Sequence, residues 1–311
     1  DAMGIPVSMT PQKIVESTDI VGGLKEDIAR DLGLEPGMPV IAAGIDCGAA
    51  NIGMGVFEPG VYAAAIGTSM CAALISDRPI KGEGLIVWPY LYEAKNLSYY
   101  FAGGATSGAI IKWFRNTFCE LEVQQEEETG KNAYAVLDAE AEKIREGSEG
   151  LIVLPYFMGE RSPIWDPDAK GTILGLSLIH TKAHIYRAFL EAVAYSLRNA
   201  MEATGETIEG SIMLAGGATK SKLGKQIFAD VTGKTVVCPK YDVEANMGDV
   251  MLAGIGTGLL TFEEARRWQI MDEKIEPDME KHKVYSSYYE IYQSAYHHLQ
   301  SDMKALSRLI K

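Results

Sequence analysis

Two apolar runs, residues 61–66 and 212–215, each break off into a glycine turn that also carries hydroxyls. The first turn reads Ala65-Ile66-Gly67-Thr68-Ser69, the second Leu214-Ala215-Gly216-Gly217-Ala218-Thr219-Lys220-Ser221. A strand ending in Gly plus Thr or Ser leaves backbone N–H groups and hydroxyls free to meet phosphate oxygens. Glycine also lets a ligand approach the backbone where a Cβ would block it. One such turn is ordinary chain punctuation. Two, each closing a strand, suggest a nucleotide whose phosphates and base are held at separate points.

The rest of the chain alternates in the same manner. Strand-like runs occur at 40–43, 85–92, 97–102, 151–156 and 235–239. Short helices are expected at 10–16 and 24–32, and an Ala/Gly-rich stretch at 47–56 suits a tightly packed helix. Further helical patterns run over 106–118, 132–145, 223–231, 249–260 and 285–310. The clearest is 183–203, where Ile185, Phe189, Val193, Leu197 and Met201 recur every four residues. Alternating strands and helices favour an α/β architecture. Neither a G-x-x-x-x-G-K-[ST] cradle nor a G-x-G-x-x-G turn after a strand is present. Separate strand turns then leave the actin/hexokinase type as the large remaining class of ATP binders.

Charge narrows the partners. With 29 basic and 42 acidic residues the net charge is −13, which argues against a nucleic-acid surface, because phosphate neutralisation needs clustered Lys and Arg. Much of the acid lies in 120–128 and reads as a solvated face. The four cysteines, Cys47, Cys71, Cys119 and Cys238, form no C-x-x-C and read as buried small apolar side chains. The five histidines show no metal-ligand spacing, so no protein metal site is expected. No apolar run reaches membrane-span length and no secretory signal opens the sequence, which makes the cytoplasm the expected compartment.

One segment carries a resemblance. Tyr156-Phe157-Met158-Gly159-Glu160-Arg161-Ser162-Pro163-Ile164-Trp165-Asp166-Pro167, followed by 170–176 and by His184-Ile185-Tyr186-Arg187-Ala188-Phe189-Leu190-Glu191, resembles the signatures of the FGGY carbohydrate kinases. Phe189 departs from the pattern, where a smaller aliphatic residue is usual. The turn 216–221 with 226–233 is similar to the family's adenosine segment, and 42–46 to the segment ending in its catalytic aspartate. The Gly-Glu-Arg-x-Pro and Trp-Asp-Pro pieces point to the pentulose-kinase, xylulokinase-like side without naming the sugar.

The resemblance implies an actin-like, ribonuclease H-like ATPase fold with a central mixed sheet flanked by helices. It implies ATP with Mg²⁺ as cofactors and a sugar or polyol as phosphoryl acceptor. Residues 1–55 correspond to the end of the family's first domain and 56–311 to its carboxy-terminal, nucleotide-binding domain. The amino-terminal kinase domain is thus an expected partner, a homodimer is left open, and the isolated chain is expected to be a very poor kinase.

Residue by residue, Asp46 matches the general base, although an aspartate before a helix is also a natural cap. Gly67, Thr68 and Ser69 match the turn on the β/γ-phosphates; the bland alternative is a tight hairpin. Gly216, Gly217 and Ser221 match the adenosine and α-phosphate positions, with Gly217 heading a turn into the helix near 223. Gly108 and Lys112 match positions facing the nucleotide, although Lys112 serves as well as a solvent lysine. Glu160 and Arg161 read as structural buttresses. Two rivals remain: an actin-like ATPase acting through a protein partner, and a non-catalytic nucleotide-binding module.

Overall fold

The computed structural model describes residues 4, 6–9, 11, 13–93, 95–241 and 244–310. In chain order the elements begin with β1 (Ile20–Gly23), α1 (Glu26–Leu32), β2 (Pro39–Ile41), α2 (Asp46–Gly53), β3 (Tyr62–Ile66), β4 (Met70–Ser76), β5 (Ile86–Pro89) and β6 (Ser98–Gly104). Next come α3 (Gly108–Phe118), α4 (Glu120–Thr129), α5 (Ala133–Ala141), β7 (Ile152–Leu154), β8 (Thr172–Leu174) and α6 (Lys182–Glu202). The chain closes with β9 (Ile212–Ala215), α7 (Lys222–Thr232), β10 (Val236–Pro239), α8 (Glu244–Gly256), α9 (Phe262–Arg266), β11 (Met271–Ile275) and α10 (Met279–Ile310). Of the helix expected over 10–16, residues 10 and 12 lie outside the described residues and 13–16 are not helical.

The chain divides into two compact units. The first gathers Asp1–Phe57, Pro89–Leu97 and Val243–Gln269. In it β1 pairs antiparallel with β2, and α2 lies against α8. The glycines expected in a tightly packed helix have a counterpart across that contact. A Cβ on Gly248 would sit 1.8 Å from the Ala49 carbonyl oxygen, so only glycine permits this approach.

The second unit holds Glu58–Trp88, Ser98–Asp242 and Ile270–Lys311. Its sheet has seven strands in the order β11-β10-β9-β3-β4-β6-β5. The centre is mixed: β10 and β3 both run parallel to β9, whereas β3–β4 and β4–β6 are antiparallel. β4 was not foreseen as a strand, because Met70–Ser76 lacks polar alternation. The strand is buried along nearly its whole length, and a strand covered on both faces reads as a continuous apolar run.

α6 packs on β4, β6 and β7 and against α3, α5 and α7. The four-residue recurrence becomes its core face, with Phe189, Val193, Leu197 and Met201 all buried. Phe189, the departure noted above, sits among the rings of Trp113, Phe114 and Phe157, with centroids 5.4–6.1 Å away. The larger side chain thus fills an aromatic cluster.

Arg187 and Glu191 form a buried ion pair at 2.9 Å on α6. The guanidinium also donates to the Tyr285 hydroxyl of α10 at 2.8 Å, and Ser148 Oγ donates to Glu191 Oε2 at 2.8 Å. α4 carries the acidic run and buries no residue fully, in keeping with a solvated face. Two of its glutamates are nonetheless engaged, Glu122 by Lys182 and Glu126 by Arg115. None of the four cysteines forms a disulfide; Cys119 and Cys238 are buried, whereas Cys47 and Cys71 are half-buried rather than fully inside.

Candidate functional site

The first glycine turn is the loop of the β3–β4 hairpin. β3 ends at Ile66, the Gly67 N–H donates to the Ser69 carbonyl at 3.0 Å, and β4 starts at Met70. Hairpin and phosphate turn are therefore compatible readings of the same residues. Gly67 and Thr68 are exposed, and no heavy atom lies within 4 Å of where a Gly67 Cβ would stand. The turn's carbonyls point the other way in hydrogen-bonding terms. Gly67 O accepts the Gly108 amide at 2.8 Å, and Thr68 O accepts those of Ser107 and Ala109 at 3.0 and 3.1 Å. Those contacts satisfy the free amides at the start of α3.

The second turn leads into a helix as expected: Gly217 opens a single 3₁₀ turn, Gly217–Lys220, and Ser221 is the N-cap of α7. The Ser221 hydroxyl accepts the Gly224 amide at 2.8 Å, which takes one of the donors that an anion would need. The left-handed backbone belongs to Gly216, at φ 86° and ψ −168°, a region open essentially to glycine alone. A Cβ on Gly216 would also meet the Ile66 carbonyl oxygen at 2.7 Å, whereas one on Gly217 would lie 3.9 Å from it.

A cavity of about 860 Å³ brings these pieces together within the second unit, inside the range of ligand pockets, about 300–1,000 Å³. Gly67, Thr68, Gly108, Lys112, Gly217 and Ser221 line it. Ser69 and Gly216 do not, and Asp46 belongs to the other unit. One wall is apolar and aromatic, with Trp113, Tyr134, Tyr186 and Phe228; Lys112 and Lys220 are the lining lysines.

Asp138 also lines the cavity and was missed. It accepts from the Tyr186 hydroxyl at 2.9 Å and from Ser221, and burial holds its carboxyl above the ordinary aspartate range. In the sequence Asp138 is one acid among several on a polar helix, so nothing there set it apart. Asn132, also lining, caps α5 by accepting the amides of Tyr134 and Ala135.

Asp46 is the first residue of α2, one position inside the cap residue Ile45. Its side chain is exposed, and Oδ1 accepts the Cys47 amide at 2.7 Å. It supplies negative charge to a helix start without acting as the cap proper. Among the described residues no group of three or more His, Cys, Asp or Glu side chains forms a metal site.

Glu160 and Arg161 sit at a structural junction. Glu160 Oε1 accepts the amides of Ala105 and Arg161 at 2.7 and 2.8 Å. Glu160 also forms a two-way backbone bridge with Asp166. Asp166 in turn accepts from the Tyr296 hydroxyl at 2.9 Å, and Thr106 donates its hydroxyl to the Pro155 carbonyl. The signature loop thus braces the end of β6, from which α3 and the wall of the cavity follow. Burial pushes Glu160 up to about 7, against two backbone N–H bonds and Arg161 that favour the anion.

Comparison with known proteins bears on this arrangement. Residues 62–257 match the family model described as the FGGY family of carbohydrate kinases, C-terminal domain. The chain belongs to the FGGY family of carbohydrate kinases. It is 32% identical to the gluconokinase of Bacillus subtilis over 258 residues, 81% of this chain and 50% of that protein. It is 31% identical to a xylulose kinase of Staphylococcus epidermidis over 290 residues, 91% of this chain and 56% of that one. The xylulose kinase of Rhodospirillum rubrum superposes with a TM-score of 0.81 at 28% identity, covering 96% of this chain and 59% of that structure. The fold is therefore the actin-like fold of the FGGY sugar kinases, with its mixed sheet and flanking helices. The chain spans about half the length of the curated relatives it matches. No helix among the described residues is long and apolar enough to cross a membrane.

Proposed function

We propose that this FGGY chain is the nucleotide-binding part of an ATP-dependent carbohydrate kinase that passes the γ-phosphoryl of ATP to a sugar or polyol hydroxyl, with a pentulose as the acceptor class. The observation that carries the reading is the cavity on which six of the eight expected nucleotide residues converge. The unobstructed backbone at Gly67 and Gly217 supports phosphate and ribose approach from that side. The aromatic wall supports stacking of a base, and Lys112 and Lys220 offset phosphate charge.

Asp46 is proposed as the general base. A sugar hydroxyl must lose its proton as it attacks phosphorus, and an exposed carboxylate at a helix start is an acceptor of that kind. Mg²⁺ fits as an ion carried on the nucleotide's phosphates, where it neutralises charge; the chain's own part is to hold the turn, the base and the proton acceptor. Catalysis in this reading rests on positioning and charge stabilisation, which two-sided enclosure supplies. The isolated chain is accordingly proposed to be a very poor kinase that retains nucleotide affinity. The cytoplasm is the proposed compartment, in keeping with four cysteines of which none forms a disulfide.

The test is calorimetric titration of the chain with ADP–Mg²⁺, followed by ADP-release assays with pentuloses, gluconate and glycerol in a form carrying both kinase domains. Sugar-dependent turnover is expected there. Turnover that responds to a protein partner and to no sugar would replace the kinase reading with that of an actin-like ATPase.

A further inference from the structure

Among the described residues, Asp138 is the only carboxylate that lines the nucleotide cavity. The lining is otherwise mixed in polarity, with Lys112, Lys220, Asn132 and Tyr134 able to donate. What sets Asp138 apart is its immediate surroundings. The Tyr186 hydroxyl donates to its Oδ1 at 2.9 Å, and Ser221 donates to the same carboxyl. The two hydroxyls beside it therefore have no proton left for a ligand. No lysine or arginine forms an ion pair with Asp138 among the described residues. A carboxylate offers roughly four lone-pair sites, so it still accepts from a donor that enters the cavity.

Two routes through the fold place this carboxylate away from the hairpin turn. Gly217 stands near that turn, since a Cβ on it would lie 3.9 Å from the Ile66 carbonyl oxygen. The 3₁₀ turn Gly217–Lys220 then carries the chain roughly 8 Å to Ser221, at about 2 Å per residue. The second route follows α3, whose Gly108 is tied to the Gly67 carbonyl. Phe114 lies further along the same helix, roughly 9 Å on at about 1.5 Å per residue. Its ring centroid is 5.9 Å from that of Tyr186. With phosphates on the Gly67 turn, the ribose falls between the two ends and the base reaches Asp138.

Resting on the nucleotide reading, we propose that Asp138 is the base-specificity residue and accepts a hydrogen bond from the exocyclic amino group of adenine. In an adenine linked to ribose that amino group is the only N–H donor, so it is the one part of the base that a carboxylate can hydrogen-bond. A phosphate at the same place would meet like charge.

The experiment is isothermal titration of the whole chain, with Mg²⁺ present, against three nucleotides: ADP, purine riboside 5′-diphosphate, which lacks only the amino group, and 2′-deoxy-ADP. Asp138→Ala and Asp138→Asn are titrated beside the parent, and thermal melts establish that each is folded. The parent should prefer ADP over the purine riboside form by about ten- to a hundredfold, the range of a hydrogen bond to a charged group. The preference should vanish in Asp138→Ala, which should bind the purine riboside form at least as well as the parent does. In Asp138→Asn a neutral acceptor should leave a smaller preference.

Equal binding of ADP and the purine riboside form by the parent overturns the proposal, as does a preference that survives in folded Asp138→Ala. Weakening of all three nucleotides alike, the mark of a merely structural role, also overturns it. So does a loss confined to the preference for ADP over 2′-deoxy-ADP, which would assign Asp138 to the ribose. No binding of any of the three overturns the nucleotide reading and this inference together. Binding without a preference that depends on Asp138 overturns the inference alone.

Discussion

The carbonyl of Gly67 accepts the amide of Gly108 at 2.8 Å, joining the hairpin turn to the first residue of α3. The approach is close enough that a Cβ on Gly108 would stand 2.5 Å from that same oxygen. Gly108→Ala should therefore displace the turn. The cost expected from overpacking is about 1–3 kcal/mol of stability, with nucleotide affinity falling at least tenfold. Denaturant melts and ADP titration measure the two together. A variant with unchanged stability and affinity would mean that the tie is dispensable.

The two neighbouring glycines of the second turn should separate. Gly216→Ala places a Cβ in a left-handed backbone and 2.7 Å from the Ile66 oxygen, so a loss of about 1–3 kcal/mol is expected. Gly217→Ala meets nothing closer than 3.9 Å and should melt like the parent. Gly217→Val should also fold, yet crowd the cavity that Gly217 lines and abolish ADP binding. Equal ADP affinity in a folded Gly217→Val would place the nucleotide elsewhere.

Asp46→Asn distinguishes chemistry from helix electrostatics. The side chain is exposed at the first position of α2, so loss of its charge should cost less than about 1 kcal/mol. Measured in a form with both kinase domains, kcat should fall about 10²–10⁴-fold, the usual worth of a general base. A near-normal kcat would reduce Asp46 to a helix-start charge.

Glu160 should make stability depend on pH. Its folded value is about 7, raised by burial from 4.5. Between those values the folded state binds the extra proton, so the contribution is complete below about 4.5 and is lost as pH rises through 7. The full span corresponds to about 3 kcal/mol. Glu160→Gln keeps an acceptor for the amides of Ala105 and Arg161 and removes the ionisation. It should flatten the profile between pH 5 and 8 and be the more stable protein at pH 8. Urea melts at pH 5, 6.5 and 8 in parent and variant check this; parallel slopes would count against it.

The sequence carried the helices and the turns well where packing follows local pattern. The recurrence at Phe189, Val193, Leu197 and Met201 became the buried face of α6, and both glycine turns lie at strand ends. β4 escaped because full burial erases alternation. α8 starts at Glu244 rather than 249 because its glycines serve a helix contact, as Gly248 does with Ala49, instead of stopping the helix. At the site, the resemblance led to six lining residues, but it could not tell which of Gly216 and Gly217 bears the backbone strain, since that depends on where Ile66 comes to lie. Asp138 was invisible for a related reason: its role comes from Tyr186 and Ser221, which are distant in sequence.

The parallel pairing of β3 with β9 has a kinetic consequence. Tyr62 stands opposite Ile212 and Ala65 opposite Ala215, so about 150 residues intervene between strands that must lie side by side. Closing a loop of that size is entropically slow and comes after local structure has formed. The two glycine turns acquire their mutual spacing only at that step. A nucleotide that needs both has nothing to grip earlier, so it should act on the chain as a brake on unfolding and leave the refolding rate unchanged.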